Sequence, residues 1–229
     1  MKNWIFTDDE KRIILSLIAK GKAEEKRNNK FAIIDFDSFY KLFSNEEIAI
    51  IKKYMAIKPE EIGCKLPYLG LEDAPADIIP IANQVFTLSG QRQTLPCQYL
   101  PKITFEAYFK LNEVIRKEIN KNLLVLYGYR SPARQIFFFF DSLDRHNNFD
   151  FYKTVRRIFF PAYSEHVFTK RQAIDFMTGD GIKGVGFEKT EEYKWLKENA
   201  GSFSFIESYP LNNEFDVMYE PWHWRHQNK

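Results

Sequence analysis

P-A-Y-S-E-H-V-F-T-K-R-Q-A-I-D-F, residues Pro161 to Phe176, is the stretch around which this chain organises. It places a histidine and an aspartate, His166 and Asp175, among apolar neighbours that can hold them rigid. A second stretch near the C-terminus, Glu220-Pro221-Trp222-His223-Trp224-Arg225, adds an imidazole and another carboxylate. Two imidazoles, one carboxylate ligand and one spare carboxylate are what a catalytic zinc site with an open coordination position requires. The fold must therefore bring residues 166 and 175 together with the tail.

The other two histidines do not share this setting. His146 lies in the polar loop D-S-L-D-R-H-N-N, and His226 lies close to the C-terminus. Both are expected to be exposed. Cys64 and Cys97 occupy loop-like contexts and belong to no C-x-x-C pair, so thiolate ligation of zinc is not expected. A single disulfide and two free buried thiols both fit their positions.

Outward from the opening stretch, local signals predict several elements. Thr7 with Glu10 forms a capping-box pattern ahead of Ile13, Ile14, Leu17 and Ile18, which predicts a helix to about Asn28. Ser44 with Glu47 repeats the pattern before Ile48, Ile51 and Tyr54. Between these helices, Phe31 to Tyr40 fits a short strand or a turn of helix equally. Pro59 to Pro101 is punctuated by proline and glycine with weak periodicity, and reads as irregular loops and short helices. Thr104 to Asn120 resumes a helical period. Leu123 to Tyr127 has the length of a strand, and it leads through Arg130 into a helix started by Pro132. Ile136 to Phe140 reads as the buried part of that helix. Phe149 to Phe159 reads as another helix, with Arg156-Arg157 on its solvated side. The glycine-rich T-G-D-G-I-K-G-V-G from Thr178 lacks both the phosphate-loop ending and the dinucleotide spacing, so it reads as a loop. Thr190 caps a further helix that stops at Gly201. Phe203 to Ser208 is a short segment, and the tail alternates like a strand from Trp222. The expected division is a helical region over 1–80, of unassigned role, followed by a catalytic domain over 81–229.

Composition excludes some classes of function. With 33 Lys and Arg against 31 Asp and Glu, the net charge of +2 is too small for electrostatic capture of nucleic acid. The 22 phenylalanines are expected to fill the core. No apolar run is long enough to span a bilayer. The first ten residues hold no apolar stretch of signal-peptide length.

The ordered motifs S-E-H, A-I-D-F and E-P-W-H-W-R, with G-Y-R-S-P-A-R-Q upstream, resemble the VanY-type D-alanyl-D-alanine carboxypeptidases, a family of zinc peptidases. T-E-E-Y-K-W-L-K-E-N-A and F-S-F-I-E-S-Y-P resemble that family's segment before the last motif. The likeness runs from about Tyr99 to Arg225. It implies an α+β fold of the Hedgehog/DD-peptidase type, with a small, mainly antiparallel sheet carrying the zinc site and helices packed around it. It further implies His166, Asp175 and His223 as ligands of Zn2+ and Glu220 as general base, three residues before His223 and released from regular strand geometry by Pro221. Arg130 matches the family's substrate-facing arginine, and Ser131, Gln135 and Ser164 match positions that hydrogen-bond the peptide.

The implied reaction is removal of a terminal D-amino acid from a peptidoglycan stem peptide; L,D, free-dipeptide and endolysin substrates share the same motifs. The implied substrate lies in the periplasm or cell envelope, with the cytoplasm as the other reading of a chain that shows no leader. The chain also departs from the family. His166 and Asp175 are two residues further apart than usual, Arg171 and Ala162 stand where glycines are common, and Ser208 replaces an arginine before Tyr-Pro. These departures favour an altered substrate, and they keep open a non-catalytic module of the same fold that binds peptide or a partner.

Overall fold

The computed structural model describes residues 5–145 and 148–227. In chain order its elements are α1 (Asp8–Arg27), α2 (Phe36–Tyr40), α3 (Asn45–Met55), β1 (Ile78–Ile81), β2 (Val85–Leu88), β3 (Gln91–Thr94), β4 (Gln98–Pro101), α4 (Lys102–Ile119), β5 (Leu123–Tyr127), α5 (Pro132–Arg145), α6 (Phe151–Val155), β6 (Ala173–Thr178), α7 (Glu191–Asn199), β7 (Phe205–Glu207) and β8 (His223–His226). This is the expected mixture of helices and small antiparallel sheets, with a helical N-terminal region.

The chain forms two compact units, neither of them a single stretch of sequence. One comprises Met1–Asp73, Arg130–Val167 and Glu214–Val217, and the other Ala74–Tyr129, Phe168–Asn213 and Met218–Lys229.

The first unit is helical and packed with phenylalanine. Its α1 starts where the capping box places it: Thr7 Oγ1 accepts from the Glu10 amide at 3.2 Å, and the Glu10 carboxylate accepts from the Thr7 amide at 3.0 Å. Ser44 and Glu47 do the same for α3. Glu47 is buried because Ser16 and Lys20 of α1 donate to its carboxylate at 2.8 and 2.7 Å. Phe137, Phe139 and Phe140 of α5 are fully buried against Ile14, Leu17 and Ile18 of α1 and against Ile50, Ile51 and Tyr54 of α3. The Tyr54 ring stacks between Phe139 (4.0 Å) and Phe160 (4.9 Å). Each ring so buried stabilises the fold by about 1.5–3 kcal/mol relative to exposure. At Gly21 a Cβ would fall 1.9 Å from the Phe137 ring, so the glycine lets α1 and α5 approach closely.

The second unit is built on a four-stranded antiparallel sheet in the order β5-β6-β8-β7. All of β6 is buried. Against the sheet pack Tyr108, Leu111 and Ile115 of α4 and Trp195 and Leu196 of α7. Asn112 secures the start of β5, accepting from the Leu123 amide at 2.8 Å and donating to the Leu123 carbonyl at 2.9 Å. Thr190 caps α7 by accepting from the Tyr193 amide.

Two regions, 59–101 and 149–159, differ from the sequence expectation, and one that it left open, Phe31 to Tyr40, takes the helical alternative. The second half of the proline-rich stretch holds two antiparallel pairs, β1 with β4 and β2 with β3. Ser89 and Gly90, both at positive φ (51° and 78°), close the β2–β3 hairpin as a mirror-image turn requires. These strands are four residues each, and β3 (Q-R-Q-T) is wholly exposed, so no alternation of apolar residues marks them. Phe31 to Tyr40 resolves into a 3-10 turn at Phe31–Ile33 and α2, which Asp35 caps. Helix is confined to Phe151–Val155 in the 149–159 stretch. Cys64 and Cys97 are not joined in a disulfide. Among the described residues no helix is long and apolar enough to cross a membrane.

Candidate active site

Strands β6 and β8 fix the first part of the site. Their register sets Asp175 directly opposite His223, and directly opposed residues present their side chains on the same face. His223 Nδ1 lies 2.8 Å from Asp175 Oδ1, and both residues are buried. On the other strand next to β6, Asp175 faces Tyr127, beyond an irregularity at Val125/Tyr127. The ring of Tyr209 lies against the imidazole of His223 at 4.9 Å.

Glu220 enters through a turn. The His223 amide donates to the Glu220 carbonyl at 3.0 Å, with Pro221 at the second turn position that its fixed φ suits. The Glu220 amide donates to the Tyr209 carbonyl at 3.0 Å, and the indole of Trp224 donates to the Pro221 carbonyl at 2.9 Å. Regular strand begins only at His223. Glu220 Oε2 stands 3.7 Å from His223 Nδ1.

His166 belongs to the helical unit, within the buried run Ser164-Glu165-His166-Val167. The Val167 amide donates to the Ser164 carbonyl at 3.0 Å, and the Arg130 amide donates to the His166 carbonyl at 2.9 Å. One ligand atom from each of His166, Asp175 and His223 lies within 4.8 Å of the other two, a His/Asp/His cluster that could hold a metal ion. Buried imidazoles and a carboxylate are donor types that fit zinc.

Arg130 is buried, with its guanidinium over the Phe138 ring at 4.7 Å. Ser131 Oγ accepts from the Arg134 amide at 3.1 Å, capping the start of α5. Gln135 Nε2 donates to the Phe159 carbonyl at 2.9 Å, while its buried Oε1 has no hydrogen-bond partner. Ser164 is buried in the turn that precedes His166.

The long interval between His166 and Asp175 is taken up by a 3-10 turn, Thr169–Arg171, ahead of β6. The Ala162 carbonyl accepts from the Leu69 amide, and the Ser208 amide donates to the His223 carbonyl. His226 corrects its expected exposure: it is 5% exposed, in β8, with Nδ1 3.3 Å from Thr104 Oγ1 and its ring against Phe205. His146 lies outside the described residues. Tyr209 escaped the sequence reading, because nothing local to S-Y-P shows that a loop will fold its ring onto an imidazole 14 positions downstream.

The model of the family VanY: D-alanyl-D-alanine carboxypeptidase matches residues 98–229, more than half of the chain. The chain belongs to the VanY family. YodJ of Bacillus subtilis (strain 168) is 25% identical over 173 residues, 68% of this chain and 62% of YodJ, so the chain spans less than two thirds of that relative's length. Among solved structures, the LdcB LD-carboxypeptidase, whose structure addresses peptidoglycan recognition, aligns with TM-score 0.53 and 25% identity over 75% of this chain and 78% of its own. A mutant VanY D,D-pentapeptidase from a VanB-type resistance cassette, solved with Zn(II), aligns with TM-score 0.48 and 23% identity over 71% and 83%. That last likeness is too weak to carry its ligands across.

Proposed function

We propose that this VanY-family chain is a zinc carboxypeptidase that removes the terminal D-amino acid of peptidoglycan stem peptides. In this reading His166, Asp175 and His223 are the ligands, and the observation that carries it is their buried cluster, with the Glu220 carboxylate 3.7 Å from His223. Zinc, when bound, supplies Lewis acidity and lowers the pKa of water toward neutrality. Glu220 takes a proton from the attacking water as its oxygen bonds to the scissile carbonyl carbon. As the carbon–nitrogen bond breaks, Glu220 passes that proton to the leaving amine. Arg130 holds either the developing oxyanion or the substrate carboxylate, and its buried packing on Phe138 fixes it for that task. Ser131, Gln135 and Ser164 are assigned to the peptide. The unpartnered Gln135 Oε1 is an acceptor suited to a substrate amide.

The test compares bound zinc and released D-Ala for wild type and Glu220→Gln, on stem peptides ending in D-Ala-D-Ala. Expected are stoichiometric zinc in both proteins and a fall in kcat of about 10²–10⁴ in the variant, the range a general acid–base residue contributes. A zinc-loaded wild type that cleaves no D-amino-acid peptide sinks the proposal. The likeness to LdcB favours a second reading, an L,D bond one residue further in; release of D-Ala from a tetrapeptide stem but not from the pentapeptide selects it.

A further inference from the structure

Between β7 and β8 the chain runs from Ser208 to Trp222 without helix or strand, and Asn212 and Asp216 adopt positive φ within it. Glu220 lies near the end of this irregular run. A carboxylate that must meet a reacting water within tenths of an ångström needs its backbone fixed from both sides. On the C-terminal side the fixing is done by the turn to His223 and by the Trp224 indole on the Pro221 carbonyl.

On the N-terminal side the neighbouring side chain is Tyr219, whose Oη lies 3.1 Å from Tyr193 Oη. The Tyr193 hydroxyl donates to Glu207 Oε1 at 3.0 Å. The two hydroxyls share a hydrogen bond in which either can be the donor. Glu207, on β7, is buried, and its second oxygen pairs with Lys197 Nζ of α7 at 2.8 Å. The Tyr193 ring also meets Trp224 edge-on at 6.3 Å. The chain of contacts thus runs Lys197–Glu207–Tyr193–Tyr219, from α7 and a sheet strand to the residue before Glu220. Burial above all raises Tyr193 above the ordinary phenol value, and burial together with a hydrogen bond to Glu188 raises Tyr219.

We infer that Tyr219, anchored through Tyr193 to the Glu207–Lys197 ion pair, is a positioning residue that sets the Glu220 carboxylate for proton transfer. The inference rests on the reading of Glu220 as general base.

The experiment uses the full zinc-loaded chain. It measures kcat, KM, bound zinc and thermal stability for Tyr219→Phe and Tyr193→Phe, each alone and combined with Glu220→Gln. Loss of the hydroxyl leaves the ring in place, and Tyr193→Phe breaks the relay one link further away should Tyr219→Phe fold poorly. Expected is a fall in kcat of about tenfold, within the roughly 10²-fold that an ångström of misplacement costs. KM should stay within about twofold and zinc should remain stoichiometric. In the Glu220→Gln background neither tyrosine change should lower the residual rate further, because the group being positioned is gone.

Wild-type kcat in both tyrosine variants overturns the inference, as does an equal fall in the Glu220→Gln background or a loss of activity that tracks loss of zinc. If Glu220→Gln itself turns over like wild type, the general-base reading falls and takes the inference with it. Failure of the inference alone shows as an impaired Glu220→Gln beside unaffected tyrosine variants.

Discussion

His226 shows how far one residue's role depends on its neighbours. Its sequence position suggests a solvated tail, yet β8 buries it against Thr104 and Phe205. Burial lowers its pKa below the ordinary 6.5, because a dry surrounding disfavours the imidazolium. Unfolded, the same side chain takes up a proton near pH 6.5. The stability it contributes is therefore complete above about pH 6.5, and it drains away as pH falls from there through the lower folded value. Urea unfolding of wild type and His226→Gln between pH 7.5 and 5 should give a difference curve that shrinks toward acid. A difference independent of pH would show that His226 titrates alike in both states. His166 and His223 contribute equally to both proteins and cancel. Of the candidate site, residue types and order were legible in the sequence: Glu220, His223 and Asp175 stand out as chemistry-bearing groups with rigid flanks. Their distances were not, because the 2.8 Å contact between Asp175 and His223 joins positions 48 apart in the chain.

At the scale of elements, local signals served the helices best. Thr7 and Ser44 start their helices because a capping box lies within four residues and competes with nothing distant. The phenylalanine run of α5 has strand propensity, but it follows the Pro132 start and is buried as helix against α1. Gly21 is the contact that lets those two helices close. Gly21→Ala would place a methyl group 1.9 Å from the fully buried Phe137 ring. The added methyl should cost about 1–3 kcal/mol by overpacking, against a gain of up to about 1 kcal/mol in helix propensity. Denaturant unfolding should thus show a net loss of stability, and an unchanged or raised midpoint would mean that Phe137 can move aside freely. The hairpins of residues 78–101 escaped the sequence reading for the opposite reason: short, exposed strands carry no periodic burial, and long-range pairing alone defines them.

At the scale of the whole molecule, metal binding should couple to stability. If His166, Asp175 and His223 hold zinc only when folded, then zinc at 100 times its dissociation constant stabilises the chain by about 2.7 kcal/mol. Thermal unfolding should rise on adding zinc and fall on adding a strong chelator. Glu220→Gln should keep this response and His223→Ala should lose it; a melting temperature indifferent to zinc in the wild type would remove these three residues as a folded metal site. What the sequence by itself determined is the set of short-range facts: where helices cap, which run of α5 is core, and the ordered motifs that place residues 98–229 in the VanY family. Only the tertiary structure decided that β6 and β8 pair in the register that opposes Asp175 to His223, that Tyr219 reaches Tyr193, and that His226 is dry. The physical reason is that caps and helical periods are settled within a turn or two of chain. Strand register and burial instead depend on which distant segments share a face, and a one-residue slip would turn every side chain of β8 to the other side.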